Sequence, residues 1–102
     1  MARRTTEVEV GGRKWKLSTF PVGLEWEFDD LRLRKDLTYR QLQAAQLKVI
    51  SVAIAPDAQD GERETVQADV AAALDNDGLR ELLAAAIRHN REILPKGEAA
   101  SP

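Results

Sequence analysis

Cysteine is absent from the 102 residues, histidine occurs once, and aromatic residues make up only 5% of the chain. Without thiols there are no disulfide bonds, thiolate zinc sites or cysteine nucleophiles. An excess of one charge is also lacking, because 15 basic residues stand against 17 acidic ones. A general nucleic-acid binder needs clustered positive charge to displace counterions, so we expect no nucleic-acid partner.

Long hydrophobic runs are missing as well. The most apolar stretch, Val49–Ala55, contains Ser51 and is much shorter than the roughly 20 residues that span a bilayer. The basic start Met1–Arg4 is followed by Thr5–Glu7, where a signal peptide would have apolar residues. We therefore expect a cytoplasmic protein with no membrane partner.

The composition that remains is typical of a folded domain. Hydrophobic residues make up 43% and charged residues 31% of the chain, and the formal net charge is -2. These values argue against wholesale disorder, and the length fits one domain. We expect a single domain over residues 1–102, with flexible tails at 1–5 and 95–102.

The clearest local pattern predicts a β-hairpin over Thr6–Leu17. Two alternating runs flank Gly11–Gly12, a pair that can adopt the positive φ of a two-residue turn. If Val10 faces Arg13, the two strand faces separate into an apolar and a charged one. The apolar face then carries Val8, Val10, Trp15 and Leu17, and the charged face pairs Glu9 with Lys14 and Glu7 with Lys16.

Two interpretations are open for Val22–Leu37, which follows Pro21. Alternation through Phe28 is compatible with a strand, whereas the spacing of Leu24, Phe28 and Leu31 is that of a helix. Acidic residues lead and basic residues trail, the order that a helix dipole favours. Helix is therefore preferred, and a strand through Phe28 is the alternative.

Capping residues place the next helix. Thr38 and Gln41 have capping-box spacing, which predicts a helix over Tyr39–Ala55 that ends at Pro56. The helix is apolar on most sides, so we expect it to be central.

Two more helices are expected after a polar loop at Asp57–Arg63, in which Gly61 is the turn residue. Thr65 is predicted to cap a short helix over Val66–Leu74, and Asp75–Asp77 to cap the last one, over about Gly78–Ile93. The predicted fold class is α+β and mostly helical, with an N-terminal β-hairpin followed by about four α-helices.

Catalytic and metal sites have little support in the sequence. The acid pairs Glu25/Asp29 and Asp57/Asp60 fit helix capping and solvated loops, and no EF-hand spacing is present. The only histidine, His89, lies near a predicted helix C-terminus, where a basic side chain has a structural role. We expect no enzyme activity, cofactor or metal; a small hydrolase that uses Glu25 or His89 is the alternative from another class.

Protein binding is the function class that remains. Four of the five aromatic residues lie within the first 28 positions. Large aromatic side chains either fill cores or anchor interfaces, and we expect at least two of these four in the core. The candidate partner-binding residues are Trp15, Phe20, Trp26, Phe28 and Leu31.

Charge is distributed unevenly along the chain. Residues 57–77 carry seven acids and one base, whereas residues 32–48 carry five bases and one acid. These segments either face each other within the fold or attract a charged protein partner, and a mixed solvated surface is the simpler alternative.

The order of elements resembles a known family. The chain has a hairpin at EVEVGGRKWKL, a proline-marked entry at FPVGLEWEF, an apolar middle helix, and then APDAQDGERETVQADVAAALDNDGLRELLAAAIRHN. This layout resembles the small tail assembly chaperones of long-tailed phages and prophages.

The resemblance implies a non-enzymatic assembly factor in the infected bacterial cytoplasm. Members of that family are thought to coat the tape measure protein and to help recruit tail tube subunits, so these are the expected partners, and a homo-oligomer is compatible with the role. The family supplies no motif from which single functional residues can be transferred. The alternative is another phage accessory or structural protein, either a head–tail connection component or an anti-defence inhibitor.

Overall fold

The computed structural model describes residues 4–92, which form a two-stranded hairpin packed against four helices. The strands are β1 (Thr5–Val10) and β2 (Arg13–Ser18), and the helices are α1 (Val22–Arg32), α2 (Tyr39–Ile54), α3 (Asp60–Ala73) and α4 (Asn76–Arg91). The predicted fold class is confirmed. Within this part of the chain, no helix has both the length and the apolar character needed to cross a bilayer.

The hairpin has the predicted register, with Val10 opposite Arg13 and Val8 opposite Trp15. Gly11 and Gly12 have φ values of 65° and 77°, as a two-residue turn with a right-handed strand twist requires. The apolar face is turned inward, and the indole N–H of Trp15 donates to the carbonyl of Val10 at 3.0 Å. The hairpin therefore contributes one wall of the core.

Helix α1 settles the ambiguity after Pro21. The chain is helical from Val22, so the strand alternative through Phe28 is wrong. The helix ends at Arg32, five residues before the predicted end at Leu37. Beyond its end, Arg34 binds Asp36 in the following loop.

Helix α2 begins as predicted. Thr38 Oγ1 accepts from the Gln41 N–H at 3.1 Å, and the Gln41 side chain accepts from the Thr38 N–H at 2.8 Å, which completes the capping box. Its residues Val49, Ile50, Ser51 and Ala53 are buried, as expected of a helix that contacts β2 and the other three helices.

Helix α3 corrects the prediction for the region after Pro56. The structure has a helix from Asp60, so the predicted polar loop over Asp57–Arg63 is too long and Gly61 is a helical residue. Glu62 Oε1 accepts from the backbone N–H of the N-cap residue Gln59 at 2.9 Å. Thr65 is not a cap, since its hydroxyl donates to the carbonyl of Gly61 one turn earlier at 3.2 Å. Acids in the first turn favour this earlier start because they face the positive end of the helix dipole.

Helix α4 has the predicted cap, with Asp75 Oδ1 accepting from the Gly78 N–H at 2.8 Å. It ends at Arg91, and the predicted last residue, Ile93, lies outside the described part of the chain. So does the predicted tail at residues 95–102. In the predicted tail at 1–5, Thr5 already belongs to β1, and the Arg4 side chain donates to the carbonyl of Glu92 at 2.7 Å.

The core lies between the inner face of the hairpin and the helices. Its central side chains come from β2, α2, α3 and α4, all with less than 2% exposure: Leu17, Val49, Ile50, Val70 and Leu82. An apolar stripe of α4 lies on this side of the helix, with Leu79, Leu82, Leu83 and Ala86 buried and Ile87 packed at the edge.

Candidate protein-binding surface

The five predicted partner-binding residues occupy different environments. Trp15, Phe20 and Phe28 are 3%, 7% and 6% exposed, so their side chains pack in the core. Leu31 is half-buried on the inner side of α1. Only Trp26 is presented to solvent, with 65% of its surface exposed.

Trp26 belongs to an apolar ridge on the outer side of α1. Val22, at 54% exposure, lies four residues before it on the same face. Leu33, at 69% exposure, lies seven residues after it; it is the C-cap residue of α1, its αR backbone keeps it on this face, and the exposed Asp30 lies between it and Trp26. We call Val22, Trp26 and Leu33 the outer ridge. Large apolar side chains this exposed, where the other Leu, Ile and Val side chains of residues 4–92 are at least partly buried, mark a candidate protein-binding surface. Sequence reasoning included neither Val22 nor Leu33 among the candidates, although their spacing from Trp26 was a usable signal.

The outer ridge faces solvent because the opposite side of α1 packs against the core. Phe28 is buried there, and Leu24 packs at the edge of the core. On the flank towards α2, Lys48 donates to Glu27 Oε1 at 2.9 Å. These contacts occupy the inner face and one flank of α1. Trp26 lies about 100° further round the helix than Glu25 and therefore points into solvent.

The other flank of α1 is held by a polar cluster around Glu25. This carboxylate is 5% exposed and accepts hydrogen bonds from Arg91 Nε and, at 3.2 Å, from Asn90 Nδ2. Asn90 Oδ1 in turn accepts from the backbone N–H of Phe20 at 2.8 Å. The cluster joins the start of α1 to the end of α4, so the outer ridge is presented by a fixed helix.

Glu25 and His89, the residues of the hydrolase alternative, form hydrogen bonds within the fold. His89 is 6% exposed, with Nε2 lying 3.1 Å from the carbonyl oxygen of Arg4 and Nδ1 lying 3.2 Å from Glu92 Oε1. Glu25 is bound as described above. Within residues 4–92, no three metal-ligating side chains are grouped so that they could hold an ion.

The loop between α1 and α2 holds a close ion pair, Arg34–Asp36, in which each partner shifts the pKa of the other. Arg34 Nε and Nη2 donate to the two carboxylate oxygens of Asp36 at 3.0 and 2.6 Å. These hydrogen bonds lower the pKa of Asp36, with a smaller contribution from a backbone hydrogen bond, and raise the pKa of Arg34. The charge of Asp36 is therefore neutralised locally by Arg34.

The basic and acidic segments of the sequence do not simply neutralise each other. Arg32 pairs with Asp29, Arg34 with Asp36, and Lys48 with Glu27, all at 3.0 Å or less and all outside the acidic segment. The alternative in which the two segments face each other therefore does not apply to these three bases.

Comparisons of the chain with protein families, with curated proteins and with solved structures gave no significant match. The functional assignment therefore depends on the geometry of the outer ridge and on the resemblance in the order of elements.

Proposed function

We propose that the protein is a non-enzymatic binding factor that covers an apolar helical surface of a partner protein, in the manner of a phage tail assembly chaperone. The observation that carries the proposal is the outer ridge, three large apolar side chains aligned on the solvent side of α1. The suspected partner is a tape measure protein.

The ridge has the shape that helix–helix packing uses. Residues four and seven apart form a row along a helix, and such a row inserts into the groove of a second helix. Burying apolar surface stabilises a complex by roughly 25 cal/mol per Å², and tryptophan is the side chain most enriched among residues that dominate binding energy. Trp26 is therefore the expected anchor.

Gly23 adds to the fit of this surface. It lies three residues before Trp26 on the exposed side of α1, and a Cβ built on it would meet nothing within 4 Å. The fold does not need a glycine here, and its absent side chain leaves room for a partner to approach the helix closely.

A coating role also suits the other properties of the domain. Glu25 and His89, the residues that an enzyme would use, are held in structural hydrogen bonds. The net charge is -2, so copies bound side by side along a long partner would repel each other little. The outer ridge can cover the apolar surface of a partner helix that would otherwise aggregate in water.

The experiment is co-expression with helical fragments of a phage tape measure protein. We expect the fragments to stay soluble with the native chain and to precipitate with W26S. Tyr39, 57% exposed and outside the ridge, gives the matched control, and Y39S should behave as the native chain does.

A direct readout uses the two tryptophans. Trp26 is exposed and Trp15 is buried, so binding at the ridge should shift the emission of Trp26 to the blue, and W26F should lose most of that shift. Full solubilisation by W26S, or an emission spectrum unchanged by saturating fragment, would contradict the proposal.

A further inference from the structure

Two exposed groups of opposite charge lie at opposite ends of the helical layer. At the start of α2, Lys35 and Arg40 are exposed and form no ion pair with any residue of the described chain, and Tyr39 is exposed between them. We call Lys35, Tyr39 and Arg40 the basic corner.

At the start of α3, Asp60 and Glu64 are exposed, one turn apart on one face, and likewise form no ion pair within residues 4–92. We call Asp60, Glu64 and the exposed Ala68 that follows them the acidic face.

The fold keeps these two surfaces apart. Helix α3 runs back along α2, since Gln67 Nε2 donates to Ser51 Oγ at 3.4 Å and Gln43 donates to Asn76, just beyond α3, at 2.6 Å. The start of α3 therefore lies near the end of α2. The 16 residues of α2 separate it from the basic corner by on the order of 24 Å.

At this separation the charges cannot stabilise each other within one molecule. The screening length at physiological ionic strength is about 8 Å, so attraction across the domain is almost fully screened. Moreover, Arg40 lies in the first turn of α2, where the helix dipole disfavours a cation. The fold itself does not explain why this positive charge is placed here.

We propose that the basic corner of one copy docks on the acidic face of a second copy, so that the protein associates head to tail. Lys35 and Arg40 would pair with Asp60 and Glu64, and the ring of Tyr39 would pack on the small side chain of Ala68, where nothing larger blocks its approach. The contact joins two different surfaces, so each copy keeps one free end and association continues into rows or rings. The proposal does not depend on the proposed function, because neither surface includes Val22, Trp26 or Leu33.

Charge reversal tests this contact. Sedimentation of the full chain should show an average mass that rises with protein concentration, and raising the salt from about 0.05 M to about 0.5 M should weaken association about tenfold. K35E/R40E should be monomeric, and so should D60K/E64K, each with a native circular dichroism spectrum. Mixed at equal concentration, the two variants should associate again, because the unchanged basic corner of D60K/E64K can dock on the unchanged acidic face of K35E/R40E and the two reversed surfaces also complement each other.

Nonspecific attraction is controlled with E9K/E81K, which changes the net charge by the same amount as D60K/E64K at residues outside both surfaces. This variant should associate with itself as the native chain does, whereas D60K/E64K should not. If D60K/E64K loses its native spectrum, E64K alone serves in its place, because Glu64 lies beyond the capping turn of α3.

Three results would overturn the proposal: a native chain that is monomeric at all concentrations in low salt, a K35E/R40E variant that associates normally, or a mixture of the reversed variants that stays monomeric. Failure here is distinguishable from failure of the proposed function, because Y39S should weaken association and spare solubilisation of the partner, whereas W26S should do the opposite.

Discussion

The side chain of Asn90, near the end of α4, bridges the backbone of Phe20 and the carboxylate of Glu25. Its Oδ1 accepts from the Phe20 N–H at 2.8 Å, and its Nδ2 donates to Glu25 Oε2 at 3.2 Å. One amide thus satisfies groups on both sides of the turn between β2 and α1. This bridge sets the direction in which α1 leaves the hairpin, and hence the position of Trp26.

Removing this amide is expected to destabilise the whole domain. N90A leaves the Phe20 N–H and one oxygen of buried Glu25 without these partners, which should lower the free energy of unfolding by about 1–3 kcal/mol. Urea denaturation followed by circular dichroism measures the effect. N76A is the matched control: Asn76 is exposed and bonds Gln43 at the surface, so its loss should cost under about 0.5 kcal/mol. Equal costs for the two substitutions would contradict the bridging role.

The two glycines of the hairpin turn should differ in their tolerance of alanine. Both have positive φ, which costs an L-residue about 1–2 kcal/mol. A Cβ on Gly11 would also lie 2.7 Å from Leu74 Cδ2, whereas one on Gly12 would meet nothing within 4 Å. G11A should therefore be the more destabilising, by about 1 kcal/mol or more. Adding L74A, which removes the clashing methyl group, should shrink the difference; a difference that persists would exclude the contact as its cause.

The corrected start of α3 can be tested at its two rival capping residues. E62A removes the bond to the Gln59 N–H and an acid from the first turn, and should cost about 0.5–1 kcal/mol. T65A removes only an intrahelical bond to Gly61 and introduces a better helix former, so it should be neutral within about 0.5 kcal/mol. A larger loss of unfolding free energy from T65A than from E62A would instead support a helix that starts after Thr65.

Alanine at position 23 should raise the stability of the free domain and weaken its binding to a helical partner. Its φ is not positive and the space beside it is open, so G23A should stabilise the free domain by about 0.5 kcal/mol. The same methyl group stands beside Trp26 and should weaken binding of a helical partner. G61A, at the equivalent position of α3 and also in open space, should stabilise without affecting that binding. Tighter partner binding by G23A would count against close approach at this surface.

The Arg34–Asp36 pair predicts a specific pH dependence. Because the pKa of Asp36 is lowered in the folded chain, the pair contributes stability above the ordinary carboxyl range and loses it as the pH falls through the lowered value. A carboxyl titration by NMR should find the pKa of Asp36 below those of ordinary exposed aspartates, and R34Q should raise it towards them, while the backbone hydrogen bond still lowers it in part. An unchanged Asp36 pKa in R34Q would show that the Arg34 bonds are not the cause.

Much of the fold could be predicted because its signals are local. The register of the hairpin follows from alternation around Gly11–Gly12, and the starts of α2 and α4 follow from Thr38 and Asp75. Each depends on residues only a few positions apart in the sequence. The start of α3 was misplaced because Gly61 and its polar neighbours are typical of a loop, while the first-turn acids favoured a helix.

The candidate site was less predictable, because exposure is decided by contacts between distant segments. No local pattern in the sequence distinguishes the four aromatic residues Trp15, Phe20, Trp26 and Phe28. In the structure, only Trp26 of these four is exposed. Trp26 faces solvent because Asn90 and Arg91 fix Glu25, and Lys48 holds Glu27, on either side of it. No short-range pattern contains those partners.

The sequence by itself determined which local elements form, since alternation, capping and turn conformation act between neighbouring residues. Only the tertiary structure decided which apolar side chains are buried and which charges remain unpaired. Burial and pairing require that residues from α1, α2 and α4 meet in space, and that meeting depends on how the whole chain packs.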